Sequence, residues 1–428
     1  MIGGVLISNA KTRVRGADNG APFKNERLSF GLVWVATVLV AFATISWKLG
    51  VFKGIDFGLL MWAEDGVIFL KGAVEHGFNS LWMPYNGYFH AYPRLVAWLS
   101  TWTNLHNAPV IFFAGWCFAL LILTWTCARA FASAKLGVVV TAATMVLMLT
   151  QPNDGEIFYS LTNAQWFLGV ALAFYLFMPQ EQGQALRVWE VFLIAVLALT
   201  GPFVCVFFPL WFISQWVSKK PSDSRLMAVL IIAFCLQVVC FMVSTRASPA
   251  HVSPSWGDWV VPISRFLSLA QGPSTRALPA VFWLILIGGL VMARQRDGFR
   301  EGSRGRVAVV LLAAAAGLFA AGLFASRADP AALGPMGGGS RYYFIPYCLV
   351  YVSVILLADF SKFFKVGVFG LILFINCAAW IGKTDSFFVK FGRVDTQIIS
   401  RLRSAEKYPN VMIPISPSPD WSFELHAK

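Results

Sequence analysis

The sequence predicts an all-α, polytopic membrane protein of about eleven transmembrane helices, with short juxtamembrane helices in its first outer loop. Three observations predict it. The 428 residues are 57% hydrophobic and only 13% charged, with a mean hydropathy of +0.66, which excludes an ordinary soluble globule. The 17 Trp and 38 Phe supply rings that collect at lipid–water boundaries. The net charge of +13 implies no nucleic-acid partner, because the basic residues fall in short loops between apolar stretches, the pattern that orients membrane proteins. All seven cysteines lie inside apolar stretches without a Cys-x-x-Cys, so neither disulfides nor zinc are expected.

In chain order, residues 1–27 carry Lys11, Arg13, Arg15, Lys24 and Arg27 and suit a cytoplasmic tail. Residues 30–47 form the first span, an uncleaved anchor, since the apolar run continues past Ala41-Phe42-Ala43. In the loop that follows, Val67, Leu70, Val74 and Phe78 share one helical face, predicting an interfacial helix over 66–78. Residues 92–102 form a second short aromatic helix, broken by Asn104 to Asn107. Spans are then expected at 109–128, 136–150 and 166–178, with an outer loop at 151–165.

Residues 188–217 decide the topology. As one span they would place ten basic residues in short outer loops against five inside. A hairpin broken at Thr200-Gly201-Pro202 reverses that tally, as the positive-inside rule requires. Each arm is then about 20 Å long, short of a full hydrocarbon core. The break must lie below the membrane surface, beside protein or a water-filled cavity. Five further spans are expected at 226–245, 278–293, 307–326, 343–358 and 366–381. The chain thus divides into a tail at 1–27, a membrane domain at 28–381 and an outer cap at 382–428. Within the cap, 391–406 reads as an interfacial helix, and 411–417 as extended, because Pro414 and Pro417 forbid helix.

All five histidines fall on the outer side, together with Glu64-Asp65, Asp154, Glu156 and Gly337-Gly-Gly-Ser-Arg341-Tyr342-Tyr343. Ionisable groups at such depth are functional candidates. An inside N-terminus, an acidic pair in the first outer loop, juxtamembrane amphipathic helices and Tyr92-Pro93-Arg94-Leu95-Val96-Ala97-Trp98 together resemble the GT-C superfamily of integral-membrane glycosyltransferases. The resemblance covers residues 28–180, and it departs from better-known members in lacking a large globular outer domain. It implies a lipid bilayer setting, the bacterial inner membrane, and a polyprenyl-phosphate-linked sugar as donor. The acceptor it implies is an envelope glycan or lipid, such as lipopolysaccharide or O-antigen, on the periplasmic side.

That chemistry needs a carboxylate base near the acceptor hydroxyl and donors or cations for the departing phosphate. Asp65 is the expected base, with the shorter side chain beside Gly66. Glu64 is expected to partner it, orient the acceptor or help hold a divalent cation, for which oxygen ligands suit Mg or Mn. The competing reading is that one of the pair only caps the helix that follows. Arg341, at the mouth of a span, is suited to a lipid phosphate or to headgroup snorkelling. His90, Tyr92, Arg94 and Tyr342 are further candidates for substrate contact. Asp154 and Glu156 sit in a turn-like stretch and either add acid to the cavity or are solvated. Asn163 and Gln165 suit sugar contacts. A transporter or flippase for a lipid-linked or anionic solute is the other functional class, although apart from Glu190 the apolar spans carry no charge and no internal repeat is visible.

Overall fold

The computed structural model describes residues 22–49, 61–178, 187–218, 223–244, 254–300, 302–358, 362–380, 397–408, 410–415 and 421–425. Two helices make its centre. Helix α6 (Ala164–Phe177) is apolar all round and buried at every position, the environment such a helix requires. Helix α13 (Arg341–Leu357) is buried from Tyr343 onward. They approach closely at Gly169, where a side chain would press Ile345 of α13 and Phe203.

Around this pair the chain lays down α1 (Pro22–Leu49), α4 (Ala108–Ser133), α5 (Val138–Thr150), α7 (Val188–Ala198), α8 (Val204–Ser218), α9 (Ser224–Val243), α11 (Ala277–Asp297), α12 (Arg304–Ala325) and α14 (Lys362–Trp380). Their outward faces are apolar. Leu32, Val35 and Leu39 of α1 and Ile232, Val239 and Met242 of α9 are all more than half exposed, which only lipid makes tolerable. Among the described residues, six helices are long and apolar enough to cross a membrane, and five more are apolar but of 10–17 residues. The protein is therefore a mostly helical, multi-pass membrane protein.

The expected break at Thr200-Gly201-Pro202 is present as the gap between α7 and α8. It is joined to the first loop by a short backbone bridge. Ala91 N–H donates to Leu199 O at 3.1 Å and Gly201 N–H to Phe89 O at 3.0 Å. Gln237, inside α9, spans both strands of the bridge. Its amide accepts from Phe89 N–H at 2.8 Å and donates to Gly201 O at 3.0 Å. Gly201 has φ +83°, and a Cβ there would lie 2.6 Å from the Phe203 ring, so only glycine turns this corner.

The first loop differs from the single helix expected at 66–78. Asp65–Leu70 is a π-helical stretch running into α2 (Lys71–His76), and Gly77–Trp82 is a 3-10 turn. A π-bulge inserts one residue into the helical ladder and re-aims the side chains around it. Helix α3 (Ala91–Ser100) follows, one residue earlier than expected. Between the spans expected at 226–245 and 278–293 lies the amphipathic α10 (Trp256–Leu267). Ser255 and Asp258 cap it reciprocally, a Ser-x-x-Asp signal visible in the sequence.

At the C-terminal end, residues 391–396 of the expected interfacial helix lie outside the described residues, and the helix observed is α15 (Ile398–Ala405). The extended stretch pairs as an antiparallel hairpin, β1 (Val411–Pro414) with β2 (Ser422–Leu425), Ile413 opposite Phe423. This unit packs onto the first loop. A Cβ on Gly66 would lie 2.5 Å from the Phe423 ring and 2.9 Å from Ile415, and Glu406 accepts from the His106 amide at 3.1 Å.

Candidate functional site

The two adjacent carboxylates point to different places. Asp65, the expected base, is buried in protein. Its Oδ1 accepts from Thr162 Oγ1 at 2.6 Å, Thr162 N–H at 2.8 Å and Ser160 Oγ at 3.5 Å, and its Oδ2 from Trp62 N–H at 3.2 Å. It ties the first loop to the chain entering α6, with no lone pair directed toward an open surface. Burial pushes its carboxyl up from 3.8 to about 6, opposed by the Thr162 hydroxyl and amide and the Trp62 amide, with the Glu64 charge adding to the rise.

That shift has a sign. The folded protein binds this proton more tightly than the unfolded chain does, so the contribution of Asp65 to stability is fullest below pH 3.8. It declines by about 3 kcal/mol as pH rises to about 6. In detergent-solubilised protein, wild type is expected to lose thermal stability relative to Asp65→Asn across that window. Parallel melting curves for the two would mean the proton sits elsewhere.

Glu64, by contrast, is partly exposed. Next to it stands Tyr85, whose phenol is within hydrogen-bonding reach of Glu64 and Asn86 and is raised above its ordinary value by burial and by the Glu64 charge. A tight turn sets Tyr85 in place. Asn86 and Gly87 have φ +53° and +85°, and Tyr85 and Tyr88 exchange backbone hydrogen bonds of 3.0 and 3.2 Å. Two successive positive φ values make the type I′ turn that Asn-Gly favours.

The other wall comes from far along the chain. Arg341, opening α13, forms an ion pair with Glu156, their side chains 33% and 11% exposed. Its guanidinium lies 5.5 Å from the centre of the Tyr342 ring and feels the charge of Glu64. Ser340 Oγ donates to Asp154. Burial raises both the Asp154 and Glu156 carboxyls, with Ser340 chiefly opposing the rise in the first and Arg341 in the second. Behind them Lys48, ending α1, donates to Leu149 O at 3.1 Å and Gln151 O at 2.9 Å and lies over the Phe158 and Trp380 rings.

The site therefore gathers Glu64, Asp154, Glu156, Arg341 and Tyr342 among the expected residues. Three others are structural ties rather than groups open to a substrate, and two more, His90 and Gln165, are buried. Tyr92 is buried and donates its hydroxyl to Gly115 O at 2.5 Å, joining α3 to α4. Arg94 is buried, donates to Ile68 O at 3.0 Å and lies 5.1 Å from the centre of the Phe69 ring, bracing the π-helical stretch. Asn163 donates to Glu156 O at 2.9 Å and accepts from Trp166 Nε1 at 3.2 Å. His90 is 1% exposed among Phe69, Tyr85 and Tyr88, 4.5 Å from the last ring centre. Burial, with Arg94 adding, lowers its imidazole to about 3, so the ring is neutral and offers no charge to a phosphate. Gln165 is also buried. Among the described residues its Oε1 has no hydrogen-bond partner, and it faces Gly201, where a Cβ would lie 2.9 Å from it.

Tyr85, Tyr88, Ser340, Lys48 and Thr162 were not expected. The Asn86-Gly87 pair signalled the turn that carries the first two. Nothing local in the sequence marks Thr162 or Lys48, whose partners are distant. The divalent cation expected as one option for Glu64 would need oxygen ligands open to it, and the neighbouring carboxylates already have protein partners. Asp154 is taken by Ser340, Glu156 by Arg341 and Asp65 by its four donors. Among the described residues no three His, Cys, Asp or Glu side chains converge as ligands. Compared with known proteins, the chain matches no protein-family model and no curated sequence.

Proposed function

We propose that the protein is a GT-C-type membrane glycosyltransferase that moves a sugar from a polyprenyl-phosphate donor to an envelope glycan or lipid acceptor. One observation carries the reading. A partly exposed carboxylate, Glu64, and a partly exposed guanidinium, Arg341, lie near enough for each to feel the other's charge although 276 positions separate them in the chain.

The chemistry follows from that pair. Glu64 takes the proton of the acceptor hydroxyl as its oxygen attacks the anomeric carbon. The bond from that carbon to the donor phosphate breaks, and the electron pair leaves on the lipid phosphate. Arg341, held by Glu156, meets the departing charge through charge-assisted hydrogen bonds. The Tyr85 phenol, held in its neutral form, orients the Glu64 carboxylate. The test is reconstitution with a polyprenyl-phosphate hexose and a lipid-glycan acceptor. The reading requires release of free polyprenyl phosphate together with a lengthened acceptor. Translocation of intact donor across proteoliposomes without bond cleavage would instead make the protein a flippase.

This reading sets eleven spans in a bacterial inner membrane, with the N-terminus cytoplasmic and the C-terminus periplasmic. A cysteine placed at Arg300 is then expected to react with an impermeant maleimide only after permeabilisation, and one at the exposed Tyr408 in intact spheroplasts. Equal labelling of both would overturn the orientation.

A further inference from the structure

The strongest unassigned feature lies at the opposite end of the helices from Glu64. Helix α12 starts at Arg304 and ends at Ala325, before the loop that leads to Ser340 and Arg341. Gly322 of this helix lies against Tyr342, which places Arg304 about 27 Å from the site already described, at 1.5 Å per residue. Here α11, α12 and α13 diverge around a cavity of about 440 Å³. It is lined by apolar Met292, Leu356 and Leu357 and by the charged Arg296, Arg304 and Asp297.

The surrounding chain is strongly basic. Between positions 294 and 306 there are five arginines against Asp297 and Glu301. Arg304 and Arg306 are built into the fold. The first donates to Ala134 O at 3.1 Å, and the second to Ser214 O at 2.8 Å and Ser218 Oγ at 2.5 Å. Arg296, 73% exposed, lies 3.9 Å from an Asp297 oxygen, a loose exposed pair that leaves its guanidinium able to turn inward. Leading to the cavity, Leu284, Ile287 and Val291 are at least half exposed along one face of α11. Their three- and four-residue spacing makes a continuous lipid-facing stripe that ends at Met292.

We infer that this cavity binds the phosphate headgroup of an anionic membrane lipid, one acyl chain lying along the Leu284–Ile287–Val291 stripe. A basic recess between helices at one membrane face is the arrangement that captures anionic headgroups. A free phosphate would use the arginines but not the stripe or the apolar lining. An arginine that merely snorkels would need no cavity. The ligand is a structural or regulatory lipid and not the sugar donor, because the cavity lies on the face away from Glu64 and Arg341.

The full-length protein, reconstituted in nanodiscs of mixed phosphatidylcholine and phosphatidylglycerol, tests this by native mass spectrometry of the lipid it retains. Wild type is expected to retain phosphatidylglycerol preferentially. Arg296→Glu, at an exposed position that carries no packing, is expected to lower that preference at least about fivefold, the factor one basic residue supplies at an anionic surface. Met292→Trp, which fills the cavity without changing charge, is expected to do the same, with monodisperse elution checking the fold of both. Loss with Arg296→Glu alone would place the lipid on the outer surface and overturn the site, as would no loss with either. Displacement by millimolar inorganic phosphate as effective as that by phosphatidylglycerol would overturn the lipid assignment.

Discussion

Glu64→Gln is expected to lower sugar transfer by about 10² to 10⁴, the range lost when a general base is removed, at unchanged membrane abundance. The substitution is nearly isosteric, and the side chain it changes is partly exposed and carries none of the inter-helix ties. Tyr85 keeps an oxygen to donate to. Asp65→Asn makes the opposite pattern. It disturbs a carboxylate that accepts from Thr162 and Trp62, and an amide nitrogen facing any of those donors leaves it unsatisfied, at about 1–3 kcal/mol. Its transfer defect should therefore track loss of folded protein. The assay is donor turnover per folded molecule in reconstituted vesicles. A large defect in Asp65→Asn per folded molecule, with Glu64→Gln near normal, would return the base to Asp65.

Arg341→Gln is expected to show two separable losses. The Glu156 carboxyl, 11% exposed, is left without its cation. Breaking a well-buried pair costs about 3–5 kcal/mol, and here about 2–3, because the guanidinium is one-third exposed. Transfer falls as well, by about 10² to 10³, the loss typical of a missing donor to a developing anion. The double variant Glu156→Gln/Arg341→Gln separates them. With no charge stranded, its melting temperature should recover most of the way, while transfer stays at the level of the single variant. Recovery of both together would make Arg341 a purely structural residue.

What could be read in the chain and what could not divide along the range of the interactions involved. The long apolar stretches, the helix break at Gly201-Pro202, the extended Val411–Pro414 strand and the acidic pair all rest on local composition, and each appears where it was expected. The choice between Glu64 and Asp65 rests on Thr162, 97 positions away from Asp65. No periodicity in either segment carries that information. Tyr92 and Arg94 looked open to a substrate because they sit in a polar, ring-rich stretch. Their partners, Gly115 and Ile68, turn both side chains inward. The Asn86-Gly87 turn and the Ser255–Asp258 cap lay within reach of local rules, and only the density of neighbouring aromatic residues hid them.

The bridge between the first loop and the hairpin break also orders events during biosynthesis. Tyr92 N–H waits for a hydroxyl 108 positions later, Phe89 N–H for an amide 148 positions later, and Glu156 for a guanidinium 185 positions later. At about 5–20 residues per second, the first of these delays lasts roughly 5–20 s. Throughout it, the N–H groups of Phe89, Ala91 and Tyr92 wait for their partners and must stay in water or in the care of the insertion machinery. The Glu156–Arg341 pair thus forms only after α13 has emerged from the ribosome, with the C-terminal unit docking on the first loop later still, and a chain truncated before Arg341 would present quality-control proteases with an unpaired Glu156.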